Sequence, residues 1–239
     1  MEEQVQTSKI VNWGGYLALT LLVALVISVI SVRAGMWQQG LVLYALCCVG
    51  SAGVLTVLAF CMALPGFSPW RRQLLIRSLA VLPGTLLFLS VLSTRGDYPV
   101  IHDITTDTIN PPSFTQALKI RDKSANPLAL NEETIQLQQD AYPDIKTGHS
   151  TLISTEAFSQ ATAVVNKMGW EITLSDPDAG LIEAVATTAI MAFKDDIAIR
   201  LTPTEGGTLV DLRSASRVGQ SDLGANAGRI REFMRLYNP

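Results

Sequence analysis

The chain has 239 residues, enough for one or two domains, with 48% apolar and only 16% charged residues and a net charge of −3. The charge is unevenly spread: residues 1–96 hold six Lys or Arg against two acids, and residues 97–239 hold 12 basic and 19 acidic residues. The acidic second half is repelled by phosphate backbones, which argues against nucleic acid as a partner. All three cysteines (Cys47, Cys48, Cys61) lie in an apolar run, which excludes a disulfide framework or a cysteine zinc site in that half.

Three apolar runs, about 10–32, 38–64 and 73–93, reach or exceed the roughly 20 residues a spanning helix needs. The first is too long for a signal peptide, and two more follow it. Trp13, Trp37 and Trp70 stand at the edges of the runs, where an indole anchors at the interface. The loop 65–72 carries Arg71 and Arg72, with Arg77 one turn into the third run, and the opposite side has only Arg33 and Arg95. The positive-inside rule then predicts a multi-pass protein of the inner (plasma) membrane. Its N-terminus would be cytoplasmic and residues 97–239 would lie outside, in the periplasm of a cell with two membranes.

The runs contain no Asp, Glu, Lys or His, and Arg77 is close enough to an end to snorkel. Transport paths place ionisable groups at membrane depth. The runs therefore read as an anchor in the lipid bilayer that packs with itself or with another membrane protein. Gly50, Ser51, Ala52 and Gly53 offer a patch for close helix approach, and Pro83-Gly84 predicts a kink. With His102 and His149 the only histidines, a bis-His haem in the anchor is excluded.

Residues 97–148 show no sustained period and are rich in Pro, Asn, Asp and Thr. They predict an irregular extended segment wrapping the domain, with one short helix near 131–140. The opening offers His102, Asp103 and Asp107, too few ligands for a metal site by themselves. Turn chemistry of Asp and Thr accounts for the same residues, so no metal is expected. From 148 the pattern is regular. A strand over 149–153 leads to a helix capped by Ser154 or Thr155 and running to Met168, with Phe158, Ala161, Val165 and Met168 on one buried face. A strand over 170–174, a turn over 176–180, a long strand over 181–193 and a turn at Lys194-Asp195-Asp196 follow. A hairpin then joins 197–202 to 208–214 across Glu205-Gly206-Gly207, and a helix runs from Asp222 to Tyr237. The predicted fold is a membrane anchor of three transmembrane helices (1–96) plus an α+β globular domain (97–239). Its core, 148–237, is an antiparallel sheet with two main helices on one face.

If Leu201 pairs with Val210 in the hairpin, Arg200 sits opposite Asp211, with Arg213 one diagonal step away; on an exposed face that ion pair adds only about 0.2–1 kcal/mol. The densest polar stretch runs from Arg213 to Asp222 into the last helix. The predicted inner face of that helix is Leu223, Ala227, Ile230, Met234 and Tyr237, with Gly224 and Gly228 as a smooth strip. Free N–H groups at its start, with Arg213 and Arg217, could hold a phosphate, carboxylate or lipid headgroup. The alternative is structural: Ser221 or Asp222 caps the helix and the arginines pair with nearby acids.

No catalytic constellation appears. There is no Gly-x-Ser-x-Gly elbow, no phosphate-binding Gly-rich loop and no His-Glu-x-x-His, and no cofactor motif, so no catalytic residue and no cofactor is expected. The motifs Ile182-Glu183-Ala184, Phe193-Lys194-Asp195-Asp196, Ile199-Arg200, the run 210–219, the run 221–227 and Arg229-Ile230 are nonetheless distinctive. Together with 102–107, Asn110-Pro111-Pro112 and Tyr142-Pro143-Asp144-Ile145, this pattern resembles a bacterial and plastid family known only as a domain of unknown function, number 1499, over about 101–236. The resemblance implies that Asp196, Arg200, Asp211, Arg213, Ser216, Arg217, Ser221, Asp222 and Asn226 form the family's signature, as a site or as a fold-defining network. It implies no established activity. The sequence thus leads to a non-catalytic accessory or assembly subunit of an inner-membrane complex. The alternative is a module binding a lipid or small anion near Arg213 and Arg217, and a hydrolase using Asp and Arg residues is the third reading.

Overall fold

The computed structural model describes residues 9–93, 96 and 98–238. The chain divides into two compact units, Met1–Gly96 and Asp97–Pro239.

In the first unit, α1 (Lys9–Arg33), α2 (Trp37–Ala63) and α3 (Arg71–Ser93) form a three-helix hairpin, each helix long and apolar enough to cross a membrane. A helix that is apolar all round needs an apolar environment on its outer side too. Leu19, Val26, Val49, Phe60, Leu79 and Leu86 are all exposed, a surface suited to lipid and not to water. The few polar side chains are satisfied one turn back: the hydroxyls of Ser28, Ser78 and Thr85 donate to the carbonyls of Leu25, Leu74 and Val81.

Local detail adds to the reading of this unit. The 65–72 loop is mostly a 3-10 turn, Pro65–Trp70, and Arg71 and Arg72 open α3. Arg77 lies across α1, where its Nη2 donates to Asn12 Oδ1 at 3.0 Å and Gly15 leaves room for the guanidinium. Trp70 is tucked against the Val11, Leu58 and Leu74 cluster, with its indole N–H buried. The small-residue patch is partly used within the unit. Gly84 of α3 packs on Ser51, Gly50 faces Leu21 of α1, and Gly53 faces open space. Arg95, counted in the charge balance, lies outside the described residues.

In the second unit, β1 (Asp103–Thr105), α4 (Ala117–Ile120), α5 (Glu132–Ala141), β2 (Gly148–Ser150) and α6 (Ser154–Lys167) precede four longer strands, β3 (Glu171–Asp176), β4 (Leu181–Thr187), β5 (Lys194–Thr204) and β6 (Gly207–Ser216), and a final helix, α7 (Ala225–Tyr237). The strands form one six-stranded antiparallel sheet in the order β1-β6-β5-β4-β3, with β2 also pairing β6. Apolar residues alternate along β4, β5 and β6, so Ile182, Ala184, Ile197, Ile199, Leu201, Val210 and Leu212 share one face with α6 and α7. Trp170, Phe233 and Tyr237 stack in sequence across that core, with ring centroids 5.9 Å apart at each step.

The fold class stands as predicted, and several details differ. Residues 188–193 are not strand: Thr188 and Phe193 close a turn on each other, with Ala192 at φ 56. Lys194-Asp195-Asp196 begin β5 and do not form a turn. Ile153, not Ser154 or Thr155, holds the N-cap of α6, with no side-chain cap. In α7 the buried face is Asn226, Ala227, Ile230, Phe233 and Tyr237; Leu223 stands exposed, Met234 is half-buried, and Gly228 faces open space. The segment 98–147 is more structured than its composition predicts. It supplies β1 and α4 besides the expected helix, α5, which Asn131 caps by accepting from the Thr134 N–H.

Candidate functional site

Alternation along the strands sends Glu183 (β4), Asp196 and Arg200 (β5), and Asp211 and Arg213 (β6) to the face away from α6 and α7. Such residues ordinarily face water. Here the segment 106–128 covers them: Glu183 is 3%, Asp196 1%, Asp211 3% and Arg213 6% exposed. Burying a charge is costly unless it is paired and hydrogen-bonded, and each has its partners. The register places Arg200 opposite Asp211, with Leu201 opposite Val210, as expected. The Arg200 Nη2 reaches Asp211 at 2.9 Å and Asp107 at 2.8 Å. The expected exposed setting for this pair is corrected, since Asp211 is buried and also accepts from Thr106 and Thr147.

Arg213 is clamped. Its Nε and Nη2 donate to the two oxygens of Asp103 at 3.0 and 2.7 Å, further N–H groups reach the carbonyls of Pro112 and Leu128, and the guanidinium lies over the Phe114 ring. Arg217 holds Asp196 through Nε and Nη2, at 3.0 and 2.7 Å, and Arg121 takes the same carboxylate at 2.7 Å. Glu183 accepts from the backbone N–H groups of Thr115, Gln116 and Ala117 and from the Thr115 hydroxyl, which pins the start of α4 to the sheet. Asn126 ties the segment to the end of β6 by donating to the carbonyls of Ser216 and Gly219.

A second network lies on the helix side. The Ser214 hydroxyl donates to Asn226 Oδ1 at 2.7 Å, and the Asn226 amide donates to Ser216 Oγ and to the carbonyl of His102. Arg229 bonds Asp195 at 2.6 Å and also reaches Ser214. At the start of α7, Asp222 accepts from the N–H groups of Gly224 and Asn226, and Ser221 donates to the Pro99 carbonyl.

These settings move pKa values. Burial pushes the Asp103 carboxyl up, against the pull of Arg213. Burial also works against Asp107, but the Asn110 N–H, Arg200 and the Ile109 N–H outweigh it and hold that carboxyl low. Arg121 is pulled down by burial, with the neighbouring Arg217 charge opposing the help of Asp196.

All eight candidate residues thus lie on or beside β5, β6 and the start of α7, in two groups separated by the sheet. Arg200, Asp211, Arg213 and Arg217 are in the outer network, and Ser216, Ser221, Asp222 and Asn226 in the helix-side network. Arg213 and Arg217 do not converge on a common open pocket: Arg213 is enclosed, whereas Arg217 lines a groove of about 330 Å³ with Gln116, Glu171, Thr173 and Lys194. Arg121, Asn126 and Glu183 were missed as network members. Only Glu183 had a local signal, a lone acid between apolar neighbours of one strand. Among the described residues no three His, Cys, Asp or Glu side chains gather as they would around a metal ion. Asp103 is engaged by Arg213, and Asp107 closes a turn by accepting from the N–H groups of Ile109 and Asn110.

The class this defines is three long apolar helices, each able to cross a membrane, followed by an α+β module whose sheet is lined with internal ion pairs. The family model described as Protein of unknown function (DUF1499) matches residues 103–236, more than half of the chain, and the chain belongs to that family. The match begins at β1 and ends within the last turn of α7. The comparison with curated proteins gives no match.

Proposed function

We propose that the protein is a non-catalytic accessory or assembly subunit of an inner-membrane protein complex, docking through its helices and its outer domain. One observation carries this reading. Between α1 and α2 runs an open apolar groove of about 300 Å³, edged by Gly14, Gly50 and Gly53 and walled by Leu17, Val57 and Leu58. Small residues along an exposed helix groove let a further helix approach closely, and the signature arginines of the other unit are engaged by its own carboxylates. The arginines at the start of α3 support a cytoplasmic N-terminus and a periplasmic second unit. Purification of the native complex in gentle detergent, with mass spectrometry of proteins and lipids together, tests the reading. A stoichiometric membrane-protein partner is the expected result, and a partner-free, monodisperse chain overturns it. Protease protection in spheroplasts and inverted vesicles checks the orientation.

A second reading is favoured by the Arg217 groove. Two guanidinium groups, Arg121 and Arg217, share the single carboxylate of Asp196, and Lys194 stands exposed beside them. With Glu171 also lining the groove, three cations (Arg121, Lys194, Arg217) stand against two carboxylates (Asp196, Glu171), and the surplus positive charge suits a small anion or a lipid headgroup. Arg217→Ala and Lys194→Ala should each weaken phosphate or headgroup binding to the full chain; unchanged binding in both removes this reading.

A further inference from the structure

We infer that the end of the second unit where the chain enters it is a membrane-contacting surface, with Leu223, Val100 and Tyr98 seated in the interfacial layer of the bilayer. The inference rests on reading α1–α3 as membrane spans and concerns a surface apart from the Arg217 groove. Leu223 is 70% and Val100 67% exposed, and Tyr98 is also exposed. The three belong to one patch. The Asp222 N–H donates to the Ile101 carbonyl, the Ser221 hydroxyl to the Pro99 carbonyl, and the Tyr98 ring lies against Gly224.

The loop turns its polar groups inward. The Asp222 carboxylate accepts from Gly224 and Asn226, and the Ser221 oxygen accepts from the Leu223 N–H. At its tip the large apolar side chain of Leu223 projects outward. Leu223 takes this position at φ 52, a left-handed conformation unfavourable for a leucine, in a place where the side chain gains little burial from the domain itself. Strain combined with an exposed large apolar side chain marks a contact made outside the fold.

The short tether to α3 makes the bilayer the occupant to which the inference commits. Ser93 is the last residue of α3 and Tyr98 comes five positions later. A fully extended chain spans at most about 3.6 Å per residue, so the five-residue tether can reach no more than about 18 Å. The polar interfacial layer begins where the hydrocarbon stops and is itself several ångströms deep. Tyrosine and aliphatic side chains favour that layer. The opposite end of the unit is the β5–β6 turn at Glu205 and Gly206, roughly 30 Å away along the ten residues of β6.

The test uses the full chain in nanodiscs of phosphatidylethanolamine and phosphatidylglycerol, with a benzophenone amino acid at position 223, 100 or 205. Photolysis and mass spectrometry should find lipid adducts at 223 and 100 at a level several-fold above 205, and Leu223→Asp should lower the adduct formed from position 100. Adducts to protein alone, no adduct, or equal lipid adducts at all three positions overturn the inference. An alkaline wash separates this from the anchor reading. A chain that stays in the membrane pellet but lacks the position-223 adduct fails only here, whereas release from the pellet fails the anchor.

Discussion

Arg213 shows how a residue's setting changes its meaning. In the chain it is one cation in a polar stretch and a candidate anion ligand; in the fold its donors meet Asp103 and two carbonyls beneath the covering segment. Arg213→Ala would leave a buried carboxylate without its counter-charge, with an expected loss of about 3–5 kcal/mol in stability. Arg213→Ala combined with Asp103→Ala should cost clearly less than the sum of the single changes, as read by denaturant unfolding of the full chain. For Arg200 and Asp211 the same cycle should give a coupling of about 1–3 kcal/mol, above the range of an exposed cross-strand pair, because Asp211 is buried and the bond is charge-assisted. Strictly additive losses would count against the direct pairing. Leu223 runs the other way. It makes little internal contact and holds φ 52, so Leu223→Asn, which tolerates that conformation, should raise thermal stability by about 0.5–1 kcal/mol.

At the scale of elements, the irregular segment 106–128 is a cover for a charged sheet face. Glu183 is its central fastening, since one carboxylate satisfies three backbone N–H groups ahead of and within α4 and one hydroxyl besides. Glu183→Gln keeps the size but turns one acceptor into a donor that faces N–H groups. The expected cost is about 1–3 kcal/mol. Hydrogen exchange should then rise across 107–128 while the core of β5 and β6 stays protected; uniform exchange across the unit would show that the cover and sheet open together. The hairpin was legible because an alternating pattern around Glu-Gly-Gly specifies register by itself. The cover was not, because its short elements, β1 and α4, are held by contacts more than 65 residues away in the chain and leave no local period.

For the whole molecule, the paired carboxylates predict how stability follows pH. Arg231 holds Asp144 below the ordinary aspartate value of about 3.9, and Asp107 is low as well, through the Asn110 N–H, Arg200 and the Ile109 N–H outweighing burial. A depressed folded value means that the unfolded chain takes up the proton first. The stabilisation from these two groups is therefore complete above the ordinary value and is lost as pH falls through the folded values. Asp103 has the opposite sign: burial raises it, so its contribution is present below the ordinary value and is lost as pH rises through the raised one. The melting temperature should decline as pH falls below about 4, and Asp107→Asn with Asp144→Asn should make that decline shallower. An unchanged acid limb in the double variant would assign the decline to other groups.

The amino-acid sequence alone determined that the chain holds three helices able to cross a membrane and, after them, an α+β domain with an antiparallel sheet. Both follow from local periodicity: long uninterrupted apolar runs in the first half, and alternation with turn residues in the second. Only the tertiary structure decided which charges are surface and which are buried. The pairing of Asp103 with Arg213, of Arg121 with Asp196 and of Arg229 with Asp195 joins residues 110, 75 and 34 positions apart. A charge's partner is set by what the folded backbone brings within about 3 Å, and no nearest-neighbour pattern in the chain carries that distance.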